Sequence, residues 1–253
     1  MFVDCHTHPL GHEGGKYSMK KLRPFVESGL AKGLKGIGFT DHEWYKDSFD
    51  FKVIEELRRE YPEFIILMGI EIDYTPDREK EISAILSEKP YDYAIGSVHD
   101  MDSWPFDHPQ HQHKYETMDI NYLYERYFAL VEMMVSSGLF QLVGHLDLVK
   151  IFGYRYQGDL PALIEPLLQK VKDKGMVIEL NTNGLYKPVK EIYPSVELLN
   201  SCVAHQIPLC LSSDAHQANQ VGRDFDLGKK ILTDLGCRRV THFSQRKMIF
   251  TVF

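Results

Sequence analysis

The sequence predicts a closed α/β barrel of seven parallel strands, and three observations carry that prediction. Short apolar runs alternate with longer amphipathic stretches along the 253 residues. The short runs are rich in Val, Ile, Leu and Phe, as in strands buried on both faces. Nearly every run ends in polar residues: His6/His8, Asp41/His42, Glu71/Asp73, His99/Asp100, His145/Asp147, Asn181/Asn183 and Asp214/His216. An open doubly wound sheet satisfies the first two observations equally well. The third favours a barrel, which gathers the C-terminal ends of all its strands around one mouth, where an open sheet would spread them along an edge.

The elements follow in order. "MFVDCH" reads as the first strand and "SMKKLRPFVESGLAKGL" as a helix after it. "GIGFTDH" is the second strand, followed by a helical "FKVIEELRREY". "FIILMGIEID" and "YAIGSVHD" are the third and fourth strands. The helix "NYLYERYFALVEMMVSSG" precedes the fifth strand, "LVGHLDL", and "LPALIEPLLQKVKDKG" precedes the sixth, "MVIELNTN". "SVELLNSCVAHQ" leads to the last strand, "PLCLSSDAH". Several helical stretches end in Gly or precede Pro, as helix termini do. No low-complexity tract, linker or internal repeat divides the chain, so residues 1–253 read as a single domain.

Bulk properties narrow the function. Hydrophobic residues make up 43% and charged residues 26%, enough for a substantial buried core. The formal net charge of -7, with no Lys/Arg-rich run, argues against a nucleic-acid partner, since phosphate neutralisation dominates that affinity. It does not exclude a small anionic substrate in a local pocket. No apolar run approaches the roughly 20 residues that span a bilayer, and no secretory pattern opens the chain. The spacing of Cys5, Cys202, Cys210 and Cys237 fits neither a zinc knuckle nor a disulfide framework. A reduced, cytoplasmic protein is expected. The oligomeric state stays open, a homo-oligomer included.

The strand-end residues point to metal chemistry. His6 and His8 lie two apart, which in an extended strand places both on one face, able to share one ion. Imidazole with carboxylate suits Zn, Mn or Fe. Glu71 follows Gly-Ile in a strongly apolar strand, where a carboxylate is costly unless paired or metal-bound, and its two oxygens could bridge two ions. Asp73, Asp100 and Asp147 read as partners orienting imidazoles or as caps. His205 and His242 read as structural or surface residues, and His108, His111 and His113 as solvated members of a polar loop. The H-x-H pair alone is a weak signal. Joined by His, Glu and Asp at the ends of five further strands, it is a strong one.

The motifs in this order resemble the PHP (polymerase and histidinol phosphatase) family. They are "DCHTHPLGH", "GFTDHE", "GIEIDY", "GSVH", "GHLDLVK" and "SSDAH". The stretches "GSVHDMDSWPFDHP", "KEIYPS" and "DAHQANQVGRDFD" are closer to its histidinol-phosphate phosphatase branch than to the polymerase-associated one. The resemblance implies a distorted (β/α)7 TIM-like barrel holding two to three divalent transition-metal ions, Zn, Mn or Fe. Carried over residue by residue, it implies a first metal on His6, His8, Glu71 and Asp214. A second would sit on Glu71, His99 and His145, and a third on His12, His42 and His216. The implied activity is hydrolysis of a small phosphate ester, L-histidinol phosphate; Glu71, His99, Asp214 and Arg223 are the candidate catalytic residues. A phosphatase for a sugar or nucleotide phosphate, a DNA exonuclease and a non-catalytic metal-stabilised protein are the competing classes.

Phosphate recognition usually adds a guanidinium. Arg223 is the first candidate and Arg155 the second. Relatives often carry Arg after the "NT-x-G-L" turn, where this chain has Tyr186 and Lys187, so Lys187 is a further candidate. The loop "HDMDSWPFDHP" offers Asp100, Asp102 and Asp107 to the substrate amine and Trp104 and Phe106 to its imidazole. Asp100, Asp102 and His113 are candidates for the general acid.

Overall fold

Each of the seven apolar runs forms a strand, and the strands close in chain order into one barrel. The computed structural model describes residues 2–11 and 13–253; the expected ligand His12 lies outside the described residues. The strands are β1 (Val3–Asp4), β2 (Gly36–Phe39), β3 (Ile65–Asp73), β4 (Tyr93–Ser97), β5 (Leu142–Val143), β6 (Val177–Asn181) and β7 (Leu209–Ser212). All neighbouring pairs are parallel, and β1 closes the barrel by pairing with both β2 and β7. The barrel is uneven: β3 runs for 9 residues, β1 and β5 for 2 each.

The surrounding helices are α1 (Met19–Ala31), α2 (Phe51–Glu60), α3 (Glu79–Glu88), α4 (Ile120–Ser137), α5 (Leu160–Asp173), α6 (Val196–Ala204) and α7 (Phe225–Asp234). Their termini follow capping chemistry. Asp119 accepts the backbone N–H groups of Asn121 and Tyr122 at the start of α4, and Gly138 takes the left-handed conformation at its end. The helices α3 and α7 and the terminal hairpin lie outside the stretches read as elements from sequence. In α3 only Ile82, Ile85 and Leu86 are buried, too short an apolar stripe to stand out among its charges.

The alternation of β3 organises the interior. Ile66, Met68, Ile70 and Ile72 pack outward with the helices, while Leu67 joins the apolar cluster inside the barrel. That cluster holds Val3, Cys5, Leu67, Tyr93, Ile95, Leu142, Val177, Cys210 and Phe243. Phe243 comes from the antiparallel hairpin of β8 (Arg239–Ser244) and β9 (Lys247–Val252), and stacks on Tyr93 at 4.8 Å between centroids. Asp92 fastens the hairpin turn, its carbonyl accepting from Arg246 N at 2.7 Å and its Oδ1 from Gln245 N at 3.1 Å. The N-terminal end of the barrel is thereby plugged with apolar side chains, leaving the C-terminal mouth for chemistry. Cys5, Cys202 and Cys210 are buried free thiols, and Cys237 is partly exposed. Among the described residues no helix is long and apolar enough to cross a membrane.

Tyr93 reaches across the interior, its hydroxyl donating to the Cys5 carbonyl at 2.6 Å. It has room because residue 38 is glycine: a Cβ there would overlap the Tyr93 hydroxyl. Gly38→Ala is therefore expected to destabilise the fold by ~1–3 kcal/mol, as overpacking does. In denaturant titrations, Gly38→Ala combined with Tyr93→Phe should cost less than the sum of the two single changes. Strict additivity would show that the two side chains do not compete for the same space.

Candidate metal centre

Glu71 stands at the middle of the mouth, on β3, and is 1% exposed. Its Oε1 accepts from Ser97 Oγ at 2.6 Å and lies 3.1 Å from His145 Nε2. Its Oε2 lies 2.9 Å from His42 Nδ1, 3.4 Å from His6 Nε2 and 3.5 Å from His8 Nε2. Burial alone would push this carboxyl up, but positive charge on His42 and His6 and the His145 contact outweigh it and hold it well below the usual carboxylate range.

The neighbouring strand ends explain how those side chains converge. Cys5 belongs to the inner apolar cluster, yet His6 beside it also meets Glu71, so strand-like alternation breaks between them just past β1. Thr7 then locks the backbone, its N–H donating to Thr40 Oγ1 at 3.0 Å and its hydroxyl to Gly38 O at 2.8 Å. This keeps His6 and His8 on one inner face, ring centroids 4.9 Å apart. His145 and Asp214 reach the centre from left-handed backbone, φ 21° and 50°. Asp214 Oδ1 lies 3.3 Å from His8 Nε2, and its Oδ2 accepts from Asn183 Nδ2 at 2.9 Å. Burial would raise this carboxyl too; His6, His8 and His216 hold it well below its ordinary value. His99 is oriented by a hydrogen bond between its Nδ1 and Asp73, and its Nε2 faces His145 Nε2 across 3.2 Å.

Three groups each bring their donor atoms within 4.8 Å of one another: His6/His8/Glu71, Glu71/His99/His145 and His8/His42/His216. Glu71 belongs to two of them, as does His8. The donor set fits a metal. His6 commits Nδ1 to Glu179 at 3.0 Å, which leaves a lone pair on Nε2, a buried atom with no hydrogen-bond partner. A nitrogen so placed beside a carboxylate suits a bound cation.

Glu179, not singled out in the sequence, is as central as the expected ligands. Fully buried on β6, it accepts from His6 Nδ1, from His145 N at 2.6 Å, from Asn181 Nδ2 at 3.0 Å and from Ser212 Oγ at 2.5 Å. The available signal was the one that marked Glu71, a carboxylate inside an apolar run. Asp41 and Asp4 pin the flanking loops, Asp41 through Leu10 N and the Tyr17 hydroxyl, Asp4 through Ser213 N and Gly222 N.

The cluster opens into a cavity of about 550 Å³. Lys187, Asn183, Asp107 and Trp44 line it, and Lys187 makes no ion pair among the described residues. Trp44 stacks on His42 at 4.0 Å and is 55% exposed. The other expected substrate contacts lie elsewhere. Arg223 sits behind the wall, donating to Asn183 Oδ1 with its guanidinium 4.0 Å above the Tyr186 ring. Arg155 forms a two-pronged pair with Glu191 at 2.8 and 3.0 Å on another face. Asp102 is engaged by Arg126, and Asp100 accepts from Ser103 N at 2.6 Å. Trp104 and Phe106 are core residues packed on Tyr115 and Tyr127. His113 bonds to Gln110 O, His205 pairs with Glu165, and Asp147 is taken by Lys150 at 2.8 Å instead of an imidazole.

Residues 4–183 match the model of the PHP domain. The chain belongs to the PHP family. Among curated relatives with PHP-type likeness, a probable histidinol-phosphatase of Deinococcus radiodurans is 38% identical, covering 97% of this chain and 97% of the relative. A histidinol-phosphatase of Bacillus subtilis is 31% identical, covering 88% of this chain and 96% of the relative. Among solved structures, histidinol phosphate phosphatase from Lactococcus lactis, complexed with zinc, L-histidinol and phosphate, superposes with a TM-score of 0.79 at 21% identity, covering 98% of both chains. The PHP barrel expected from the motifs is the fold observed.

The dependence of this PHP centre on its carboxylates is measurable. Glu71→Gln is expected to abolish binding of at least one metal equivalent, since Glu71 belongs to two donor groups. Glu179→Gln and Asp73→Asn, each acting through one imidazole, should weaken affinity about 10–100-fold. Chelator-competition titrations with elemental analysis separate the two outcomes; equal, mild effects from all three changes would show that the centre is not built on Glu71.

Proposed function

We propose that this chain is a metal-dependent phosphomonoesterase that hydrolyses L-histidinol phosphate to L-histidinol and phosphate, a late step of histidine biosynthesis. The observation that carries the reading is likeness to histidinol-phosphatases over nearly the whole chain, 38% identity across 97% of it. The full 253 residues are read as one catalytic domain acting in the cytoplasm. The imidazole–carboxylate donor set supports Zn, Mn or Fe. His6, His8, Glu71 and Asp214 would hold one ion, and Glu71, His99 and His145 a second. His42 and His216 would hold a third together with His12.

Bound transition metals supply Lewis acidity toward phosphoryl oxygens and acidify water to a nucleophile near neutral pH. The chain's own residues supply the geometry. Glu179 and Asp73 fix the ring orientations of His6 and His99. Asn183 holds Asp214, and Arg223 holds Asn183, so Arg223 positions the wall instead of touching phosphate. Among the described residues Lys187 is the one lysine or arginine lining the cavity, without an ion pair, and it binds the phosphate dianion.

Gently purified protein should carry more than one equivalent of transition metal, and prolonged chelation should abolish hydrolysis until metal is restored. A fully active protein without metal would end this reading. Across a panel of esters, histidinol phosphate should be preferred over a plain sugar phosphate by at least about tenfold in kcat/KM, ~1.4 kcal/mol. Single-stranded DNA should not be cleaved.

Lys187→Ala should lower kcat/KM by roughly 10–150-fold, the loss of a charged hydrogen bond worth ~1.5–3 kcal/mol, with metal content unchanged. Wild-type kinetics in that variant would remove Lys187 from phosphate binding.

A further inference from the structure

The structure separates three acids that the loop after β4 presents in similar sequence contexts. Asp102 faces away and is held by Arg126. Asp100 closes the local turn through Ser103 N. Asp107 alone of the three lines the cavity, and among the described residues it has no hydrogen bond or ion pair through its side chain.

Its position is built. Phe106 before it is fully buried against Tyr127, ring centroids 5.5 Å apart. His108 after it caps the 3-10 segment Pro109–Glu116, its Nδ1 accepting from Gln110 N at 3.3 Å. Upstream, Met101 and Trp104 exchange two backbone hydrogen bonds, at 2.9 and 3.1 Å. A core anchor on one side and a helix start on the other hold residue 107 at the wall.

The other carboxylates of the cavity are engaged: Glu71 by imidazoles and Ser97, Asp73 by His99, Asp214 by His8 and Asn183. A partly buried carboxylate that lines the cavity with no hydrogen bond or ion pair of its own among the described residues, its charge helping to raise the His99 imidazole, favours a cationic ligand group. We propose that Asp107 is the specificity residue that pairs with the primary ammonium group of the substrate, in the same cavity that Lys187 lines. This rests on the histidinol phosphate reading. That substrate carries its ammonium on the carbon next to the phosphorylated methylene, so a carboxylate beside the metal centre is where recognition is needed. A sugar phosphate has no group to match it and would leave Asp107 desolvated and unpaired, which is how a site rejects a ligand lacking one polar group.

The test compares L-histidinol phosphate with the ester lacking only the amine, 3-(imidazol-4-yl)propyl phosphate, on metal-loaded wild-type protein, Asp107→Asn and Asp107→Glu. Wild type should prefer the amine-bearing ester by about tenfold or more in kcat/KM. In Asp107→Asn that preference should collapse toward unity, mainly through KM, and Asp107→Glu should recover part of it. Metal content measured alongside should be the same in all three. A preference retained in Asp107→Asn, an equal fall on both esters, or loss of metal would each overturn the assignment while leaving the phosphatase reading intact. Failure of wild-type protein to hydrolyse histidinol phosphate at all would overturn the reading itself.

Discussion

The structure turns on one buried negative charge. Glu71 is enclosed at the centre of the barrel mouth, where an unpaired carboxylate would cost several kcal/mol. Its compensation comes from different strand ends: His6 and His8 after β1, His42 after β2, Ser97 on β4 and His145 after β5. Glu179 on β6 repeats the arrangement from the opposite wall, joining His6, the His145 backbone and Ser212 of β7. Closing the sheet and satisfying these two carboxylates are therefore one requirement. An open sheet would bring some of the partners near Glu71 and strand the rest.

That requirement divides the barrel into two levels with opposite chemistry. Below, Tyr93 and Phe243 stack inside a ring of aliphatic and cysteine side chains, and the terminal hairpin seals the end. Above, Glu71 turns inward by regular alternation on β3, but alternation gives way at other functional side chains. His6 follows an inward Cys5, and His145 and Asp214 adopt left-handed backbone. The two left-handed conformations cost of order 1–3 kcal/mol each and persist only where surrounding bonds dictate them. The Glu179 bond to His145 N holds the first of these, Asn183 with Asn181 holds Asp214, and Thr7 fixes the backbone beside His6.

What was legible in the sequence follows from the same physics. Buried parallel strands must be apolar, so Val/Ile/Leu runs marked all seven, and polar residues at their ends marked the mouth. The ligand-type residues stood out because each breaks an apolar run at its C-terminal end. Glu179 interrupts an apolar run as Glu71 does, two residues before its strand ends, but its meaning depends on which side chains face it across the barrel. The outer residues were harder still. Arg155 and Asp102 looked available until their partners, Glu191 and Arg126, arrived from distant segments. Trp104 and Phe106 are consumed by the core, while Trp44, next to a ligand motif, stands at the cavity. Helix α3 and the hairpin bury too few apolar side chains per element to announce themselves.

Net charge proves a poor guide to this site. The chain carries -7 overall, yet its cavity is read as binding a dianion. The excess acid does not oppose that binding, because the acids at the mouth are committed: Glu71, Asp214 and Glu179 face imidazoles, and Asp73 is bonded to His99. Bound cations would shift the local field further toward positive, since a metal ion is the largest charge in such a site. Against that background Lys187 and Asp107 face the same cavity without ion-pair partners among the described residues, one cation and one anion. A ligand carrying phosphate at one point and ammonium at another would meet both, and a ligand with phosphate alone would meet only the first. Selectivity in such a cavity arises from what is left unpaired, set by ion pairs formed well outside it.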